Sequence, residues 1–450
     1  MDGLLLSRIQ FGLTAGFHFI FPSLTVGLGW LIFLLMSFQL ATGRDIYKQM
    51  FRFWIRVFAL TFAVGVATGI VLEFEFGTNW ANYSRFVGDI FGAPLAIEGV
   101  FAFFLESSFL GLLIFGEKRL SPKVHWFSAL MVAVGATMSA FWILAANSWQ
   151  HTPEGYEMVN GRAVLTDFWA AVFNRSTNVR FGHVVVATII GGAFLMTGVG
   201  AYYTLKKRHT EFAKKCISIG LVIGLITSVG QLVVGHFHSI QIWRDQPIKL
   251  AAVEGHFETE SHAPLLIFGI PNAEERRTDY AIAVPGFMSF LLTWDFETEV
   301  KGLNEWPKED WPPLMLTFFP YHLMFILGTL FIAFTALGVF LLWRKKLFDP
   351  DWIVSKWFLR LAVLAIPLPV IANELGWMTT EIGRQPWIVY GMLRTSDGYS
   401  ANVPPEHILF SIIAFGVIYI LLFAVWLFLL VRKIKHGPEP IEAAAKEVQS

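Results

Sequence analysis

"IEGVFAFFLESSFLG", residues 97–111, sets two carboxylates, Glu98 and Glu106, in a run otherwise made almost wholly of Phe, Leu, Ile, Ala and Gly. An ionisable group at the centre of a bilayer costs about 3 kcal/mol or more, so it marks function by default. The surroundings decide the fold before the carboxylates do. Apolar stretches of the same texture recur along the chain, at 12–40, 52–76, 94–116, 124–148, 181–206, 216–239, 314–343, 357–380 and 406–433. Each is long enough as a helix to cross a hydrocarbon core of about 30 Å. The reading is an all-α polytopic membrane protein with nine transmembrane helices. "AIPLPVIA" and the Gly-rich "VGVATG" are expected to kink or thin their helices.

Composition agrees. Of 450 residues, 55% are hydrophobic and only 15% charged, and mean hydropathy is +0.56. Soluble domains carry about 25% charge. Zero net charge gives no argument for nucleic acid. Cys216 is the single cysteine, which excludes an intrachain disulfide, a four-cysteine iron–sulfur site and a CxxCH haem attachment. The first apolar stretch is too long, and too poor in basic residues ahead of it, for a cleavable signal peptide. No internal repeat is evident.

Orientation comes from Lys and Arg. The loops near 41–56, 117–123, 206–215 and 344–360, with the tail, carry 21. The other side carries 7 once a long loop, 240–313, is set aside. The positive-inside rule then puts the N-terminus outside and the C-terminus in the cytoplasm. Four segments follow: helices 1–6 in 1–239, an extracytoplasmic loop 240–313, helices 7–9 in 314–433, and a polar cytoplasmic tail 434–450, frayed after Gly437. The loop mixes Trp, Phe, Ile and Pro with its charges, and is read as the one sizeable extramembrane segment and an ordered, partly helical lid.

Ionisable residues at membrane depth are few: His18, Glu73, Glu98, Glu106, His183, His322, Glu374 and Glu381. His18 is placed two turns into helix 1, and Glu98 near the outer end of helix 3. His183, His322 with Met324, Glu374 and Glu381 also fall at outer ends. Glu73 and Glu75 are read as facing the headgroups. Glu106 lies about 12 Å further inward than Glu98, rotated by about 80°. With Ser107 and Ser139, taken to lie at similar depth, it forms a polar thread suited to a proton relay. His, Met and Glu without cysteine suit haem iron, although zinc or copper would also take histidine.

"LSRIQFGLTAGFHFIFPSLT", "GVATGIVLEFEFGTNW", "GDIFGAPLAIEGVFAFFLESSF", "SAFWILAANSWQ" and "EIGRQPWIVYG" resemble subunit I of the cytochrome bd-type quinol oxidases, from residue 1 to about residue 430. The resemblance implies haem b558 and a high-spin pair, b595 and d (or a third haem b in place of d), in an electrogenic enzyme that oxidises membrane quinol and reduces oxygen to water. It implies a bacterial cytoplasmic membrane, a subunit II, and a small single-helix subunit. It places a high-spin haem ligand on His18, another on Glu381, and the b558 ligands on His183 and Met324. Glu98 falls at the oxygen-reducing haem, and Glu106, Ser107 and Ser139 on the proton path. Lys249 and Glu254, in "KLAAVEG", fall on the quinol loop; Trp377 and Arg384 fall on residues that pack on or pair with the haems. Two departures stand out. His322 replaces an arginine that stabilises reduced b558, and the quinol loop is the short form. His236 and His238 in "GHFHSIQIWRDQP" are read as snorkelling at the interface. A haem-b quinol dehydrogenase without oxygen chemistry and an ion-coupled transporter are the competing readings. The unpaired Glu381 argues against the first, and the lack of internal repeats against the second.

Overall fold

The computed structural model describes residues 2–440. Two helices, α1 (Gly3–Phe19) and α2 (Pro22–Thr42), form the first span, jointed at Ile20–Phe21 just before Pro22. Proline lacks the N–H for a continuous ladder but is at home in a first turn. The second span is α3 (Asp45–Thr78). The third joins α4 (Ala81–Ile97) to α5 (Phe104–Phe115) through a π-helical segment, Glu98–Phe103. The fourth, α6 (Pro122–His151), starts at Ser121, whose hydroxyl accepts from the Val124 N–H. A β1–β2 hairpin (Tyr156–Val159, Arg162–Leu165) and α7 (Phe168–Val172) precede α8 (Thr177–Leu205) and α9 (Thr210–Asp245).

The long loop then folds as α10 (Pro247–Glu254), an antiparallel hairpin β3–β4 (Leu265–Asn272, Arg277–Val284) and α11 (Phe287–Thr293). Next come α12 (Leu314–Trp343) and the pair α13 (Ile353–Leu364) and α14 (Leu368–Ile382). A small β5–β6 hairpin (Trp387–Val389, Leu393–Arg394), the short α15 (Thr395–Gly398) and α16 (Pro405–His436) complete the fold. Among the described residues eight helical spans are long and apolar enough to cross a membrane, and the pair α13–α14, bent by 45°, brings the number to nine if it is counted as one span. The bend falls in "AIPLPVIA", as its prolines require. "VGVATG" does not break α3. Its glycines make room instead: a Cβ on Gly65 would lie 3.2 Å from Phe21, and one on Gly69 3.1 Å from the His18 ring.

Close helix contacts rest on small residues, as expected where lipid offers no hydrophobic drive between helices. A Cβ on Gly27 of α2 would fall 2.0 Å from the Thr188 carbonyl of α8. One on Gly220 of α9 would fall 2.7 Å from the Ala193 carbonyl of α8.

Four expectations are corrected. Several helices run well past their apolar cores, so α1 begins at Gly3 and α4 at Ala81. His18 and Glu98 therefore sit about 22 Å and 25 Å along from their helix starts, further than the two turns and the helix end expected. The lid is ordered, but it carries a β-hairpin besides its helices. It is also not the only sizeable extramembrane segment, since 152–176 and 383–404 fold outside the spans too. The tail is not frayed from residue 437: Gln49 Nε2 donates to the Glu439 carbonyl at 2.6 Å, and Arg56 pairs with the Glu439 carboxylate. Residues 441–450 lie outside the described residues.

Candidate functional site

Glu381, in the last turn of α14, is the centre of a polar cluster drawn from four helices. Its Oε2 accepts from Arg384 at 2.5 Å. Its Oε1 accepts from Asn147 Nδ2 at 3.1 Å and lies 3.5 Å from His151 Nε2 and 3.9 Å from the Arg180 guanidinium. Arg180 also donates to Asn147 Oδ1. Gln246, which opens α10, accepts at Oε1 3.3 Å from His151 Nδ1. Lys249 of α10 donates to the Thr380 carbonyl at 2.9 Å, one residue from Glu381. A Cβ on Gly383 would lie 3.1 Å from the Lys249 stem, so glycine admits that lysine.

Lys249 is 2% exposed. Burial, then the Arg180 charge, holds its ammonium well below the ordinary lysine value, against the pull of Glu381. Glu254, at the other end of α10, is 1% exposed and neither oxygen has a hydrogen bond of full geometry. Burial pushes its carboxyl up to about 8, opposed by the neighbouring Tyr321 hydroxyl. Asn147, His151, Arg180 and Gln246 were missed by sequence reasoning. They sit at helix ends, where polar residues are ordinary, and nothing local sets them apart.

His18 closes α1 with its Nδ1 3.0 Å from Thr68 Oγ1. That hydroxyl spends its own proton on the Val64 or Gly65 carbonyl, each 3.0 Å away. It must therefore accept from Nδ1–H, which leaves the Nε2 lone pair free. This is the tautomer a metal-binding histidine needs, fixed by a second-shell partner. Trp377 of α14 packs edge-on against Phe19, with ring centroids 5.2 Å apart, beside His18. Met324 of α12 faces α14, where a Cβ on Gly376 would lie 3.1 Å from its sulfur. The His183 ring lies 5.3 Å from that of His238, and its Nδ1 has no partner. His236 lies 6.1 Å from Trp294 of the loop. Neither His236 nor His238 snorkels: one meets the loop and the other meets His183.

His322 is buried and stacked on Phe318, with ring centroids 3.9 Å apart. Its Nδ1 lies 3.0 Å from the Phe318 carbonyl and its Nε2 3.1 Å from the Leu266 carbonyl of β3. It staples the loop hairpin to α12, with both ring nitrogens facing backbone carbonyls. On the third span, Glu98 accepts from Ser139 of α6 at 2.6 Å. Glu106 is 5% exposed and its Oε1 has no partner. The residue opposite it is Gly135, where a Cβ would lie 2.9 Å from Cβ of Glu106. Ser139 is thus level with Glu98, one turn away from the expected depth. Ser107 bonds only within its helix, to the Phe104 carbonyl at 3.3 Å. Glu73 is exposed, whereas Glu75 is buried and does not reach the headgroups.

The family model described as cytochrome bd terminal oxidase subunit I matches residues 6–438. The chain belongs to that family. It is 41% identical to the cytochrome bd ubiquinol oxidase subunit 1 of Bacillus subtilis (strain 168), over 98% of this chain and 95% of the relative. It is 33% identical to the cytochrome bd-II ubiquinol oxidase subunit 1 of Escherichia coli (strain K12), over 97% of each. The bd oxidase structure from Geobacillus thermodenitrificans superposes with a TM-score of 0.90 at 32% identity, over 97% of this chain and 99% of that one. The chain is therefore subunit I of a cytochrome bd terminal oxidase, an oxidoreductase subunit of a family that carries haem and works with a subunit II. Its residues fit haem. His18 offers a free lone pair, glycines clear the approaches to His18 and Met324, and Arg384, 5% exposed, leaves Nε and one terminal nitrogen unpartnered for an anion such as a propionate.

The cluster predicts a sign. Glu381→Ala leaves Arg180 and Arg384 buried without their carboxylate, which costs more than removing both partners. Thermal unfolding of the detergent-solubilised complex should fall by several degrees in Glu381→Ala, and by less in Glu381→Ala/Arg384→Met. An equal or larger fall in the double variant would refute the coupling.

Proposed function

We propose that this subunit oxidises membrane quinol on the face that carries the 246–313 loop and passes the electrons to an oxygen-reducing site around His18, Glu98 and Glu381. The observation that carries the reading is the direct packing of α10 on the Glu381 cluster. Lys249 and Glu254 are the quinol-orienting and proton-accepting groups, and Lys249 reaches the backbone one residue from Glu381. His183 and Met324 hold the low-spin haem b558; His18 and Glu381 hold the high-spin pair, b595 and d or a third b. Haem supplies one-electron transfer and, at an open position, oxygen binding. Trp377 and Arg384 fix the walls and the anionic edge of those sites. Ubiquinol and menaquinol both suit the loop chemistry. The loop face is the outer face of a bacterial cytoplasmic membrane, by the charge bias of the loops. A small single-helix subunit joins subunit II in the complex.

Protons consumed near Glu98 rise from the cytoplasmic side through Glu106, with Ser139 holding Glu98 and Ser107 on the flank. Quinol protons leave on the outer side. Charge then crosses without a pump, worth about 2.3 kcal/mol per charge per ~100 mV. Gly135 lets α6 pack directly on the Glu106 backbone, and the free Oε1 of Glu106 is the group that would carry the proton.

Three measurements test this. A dithionite-reduced spectrum should show b-type bands and a component that shifts with carbon monoxide; bands in the red mark haem d, and b-type bands alone mark a third haem b. A preparation with no CO-reactive haem would favour the quinol dehydrogenase. Glu106→Gln should slow turnover at least tenfold while the b558 bands stay intact, and unchanged turnover with unchanged charge movement in proteoliposomes would remove the relay. Finally, Glu254 accepts a proton only as the carboxylate. With its value raised from 4.5 to about 8, quinol oxidation should rise with pH up to about 8. Glu254→Gln should abolish that limb. The same shift acts oppositely on stability: between 4.5 and about 8 the group is neutral in the fold and ionised in the unfolded chain, so stability falls as pH rises.

A further inference from the structure

Helices α1 and α3 meet along a file of polar side chains of which the mechanism above uses only His18. On α1 the members are Gln10, Thr14 and His18, one helical turn apart, about 6 Å per step. On α3 they are Asn79, Glu75 and Thr68. The outermost rung is Asn79 donating to Gln10. The middle rung is Thr14 Oγ1 donating to Glu75 Oε1 at 2.7 Å. The innermost is the His18–Thr68 contact. From α16 the Tyr419 hydroxyl donates to Thr14 Oγ1 at 3.4 Å. At the loop-face end the Asn79 carbonyl accepts from the Ser400 N–H, directly before the exposed Ala401 and Asn402.

Glu75 is the anomaly in this file. It is 3% exposed, and Oε2 has no hydrogen-bond partner. A dry carboxylate with one oxygen unpaired is costly as the anion, far more than the neutral acid. Its protonation must therefore follow the charge around it. Carboxyls on the helices packed here include Glu374 of α14, whose Oε2 lies 3.3 Å from a Cβ position on Gly16, the exposed Glu73 and Asp45 of α3 itself, Asp89 of α4 and Glu406 of α16. Tyr419 is the titratable group of α16 that bonds into the file.

We propose that Glu75 is a second proton-binding carboxylate of the His18 site, served from the loop face and separate from the Glu98–Glu106 thread. It rests on the reading that His18 holds a redox group. When an electron arrives at that site, one proton from hydronium on the loop face enters past the Asn79–Gln10 rung and binds the Glu75 carboxylate, the hydronium O–H breaking as the carboxyl O–H forms. When the electron leaves, the carboxyl O–H breaks and the proton returns to water on the same face.

The test is the reduced-minus-oxidised infrared difference spectrum of the complete purified oxidase, in wild type, Glu75→Gln and Glu75→Asp. The wild type should show a carboxylic-acid carbonyl band that is sensitive to D2O, absent in Glu75→Gln and displaced in Glu75→Asp, with the visible haem bands unaltered. Identical carbonyl regions in wild type and Glu75→Gln overturn the proposal. If Glu75→Gln fails to assemble, Glu75→Asp decides: an unmoved band overturns it and a displaced band supports it. Absence of haem absorbance from the wild type would instead remove the haem reading, and this proposal with it.

Discussion

A carboxylate surrounded by hydrocarbon must be paired, hydrogen-bonded or neutral, and the arrangement of this protein follows from how each one meets that demand. Glu381 meets it fully, with Asn147, His151, Arg180 and Arg384 around its two oxygens. Glu98 meets it in part, through Ser139. Glu106 and Glu75 each keep a bare oxygen. That gradient separates a group held as an anion from groups free to change their proton. It also explains why the basic residues of the cluster are buried at all: Arg180 and Arg384 are affordable at membrane depth only beside Glu381.

The same economy ties the loop to the membrane site. Lys249 is held by a backbone carbonyl of α14, Gln246 engages His151, and His322 binds a strand of the loop to α12 two residues from Met324. The loop is part of the site's wall. Lys249 touches the backbone one residue from Glu381, and His322, held to the loop strand, stands two residues from Met324.

The spans were legible because long apolar blocks have few alternatives, and the bend in α13–α14 because two prolines forbid a straight ladder. Depth was not legible. Hydropathy marks where a helix is greasy, not where it ends, so α1 and α4 start well before their apolar cores and place His18 and Glu98 far along their helices. Single residues were read well where the surroundings made them improbable, as with Glu106. They were missed where the surroundings were ordinary, as with Arg180 and Gln246, whose meaning comes only from helices distant in sequence. Glu75 failed for a related reason. From the sequence it is a glutamate near a helix end, and only the packing of Thr14 and Tyr419 over it makes it an interior group.

The π-helical segment joins these threads. In an unbroken α-helix Glu98 and Glu106 would point about 80° apart. In the fold both meet α6: Glu98 at Ser139, and Glu106 at Gly135, one turn along the same face. Residues Glu98–Phe103 adopt the wider winding and reset the phase between the two carboxylates. Such insertions persist at functional sites because they cost ladder geometry and return nothing to packing. Here the return is alignment. Two carboxyl groups are brought to one seam, the first anchored by a hydroxyl, and the second opposite a glycine that lets the two helices close on each other.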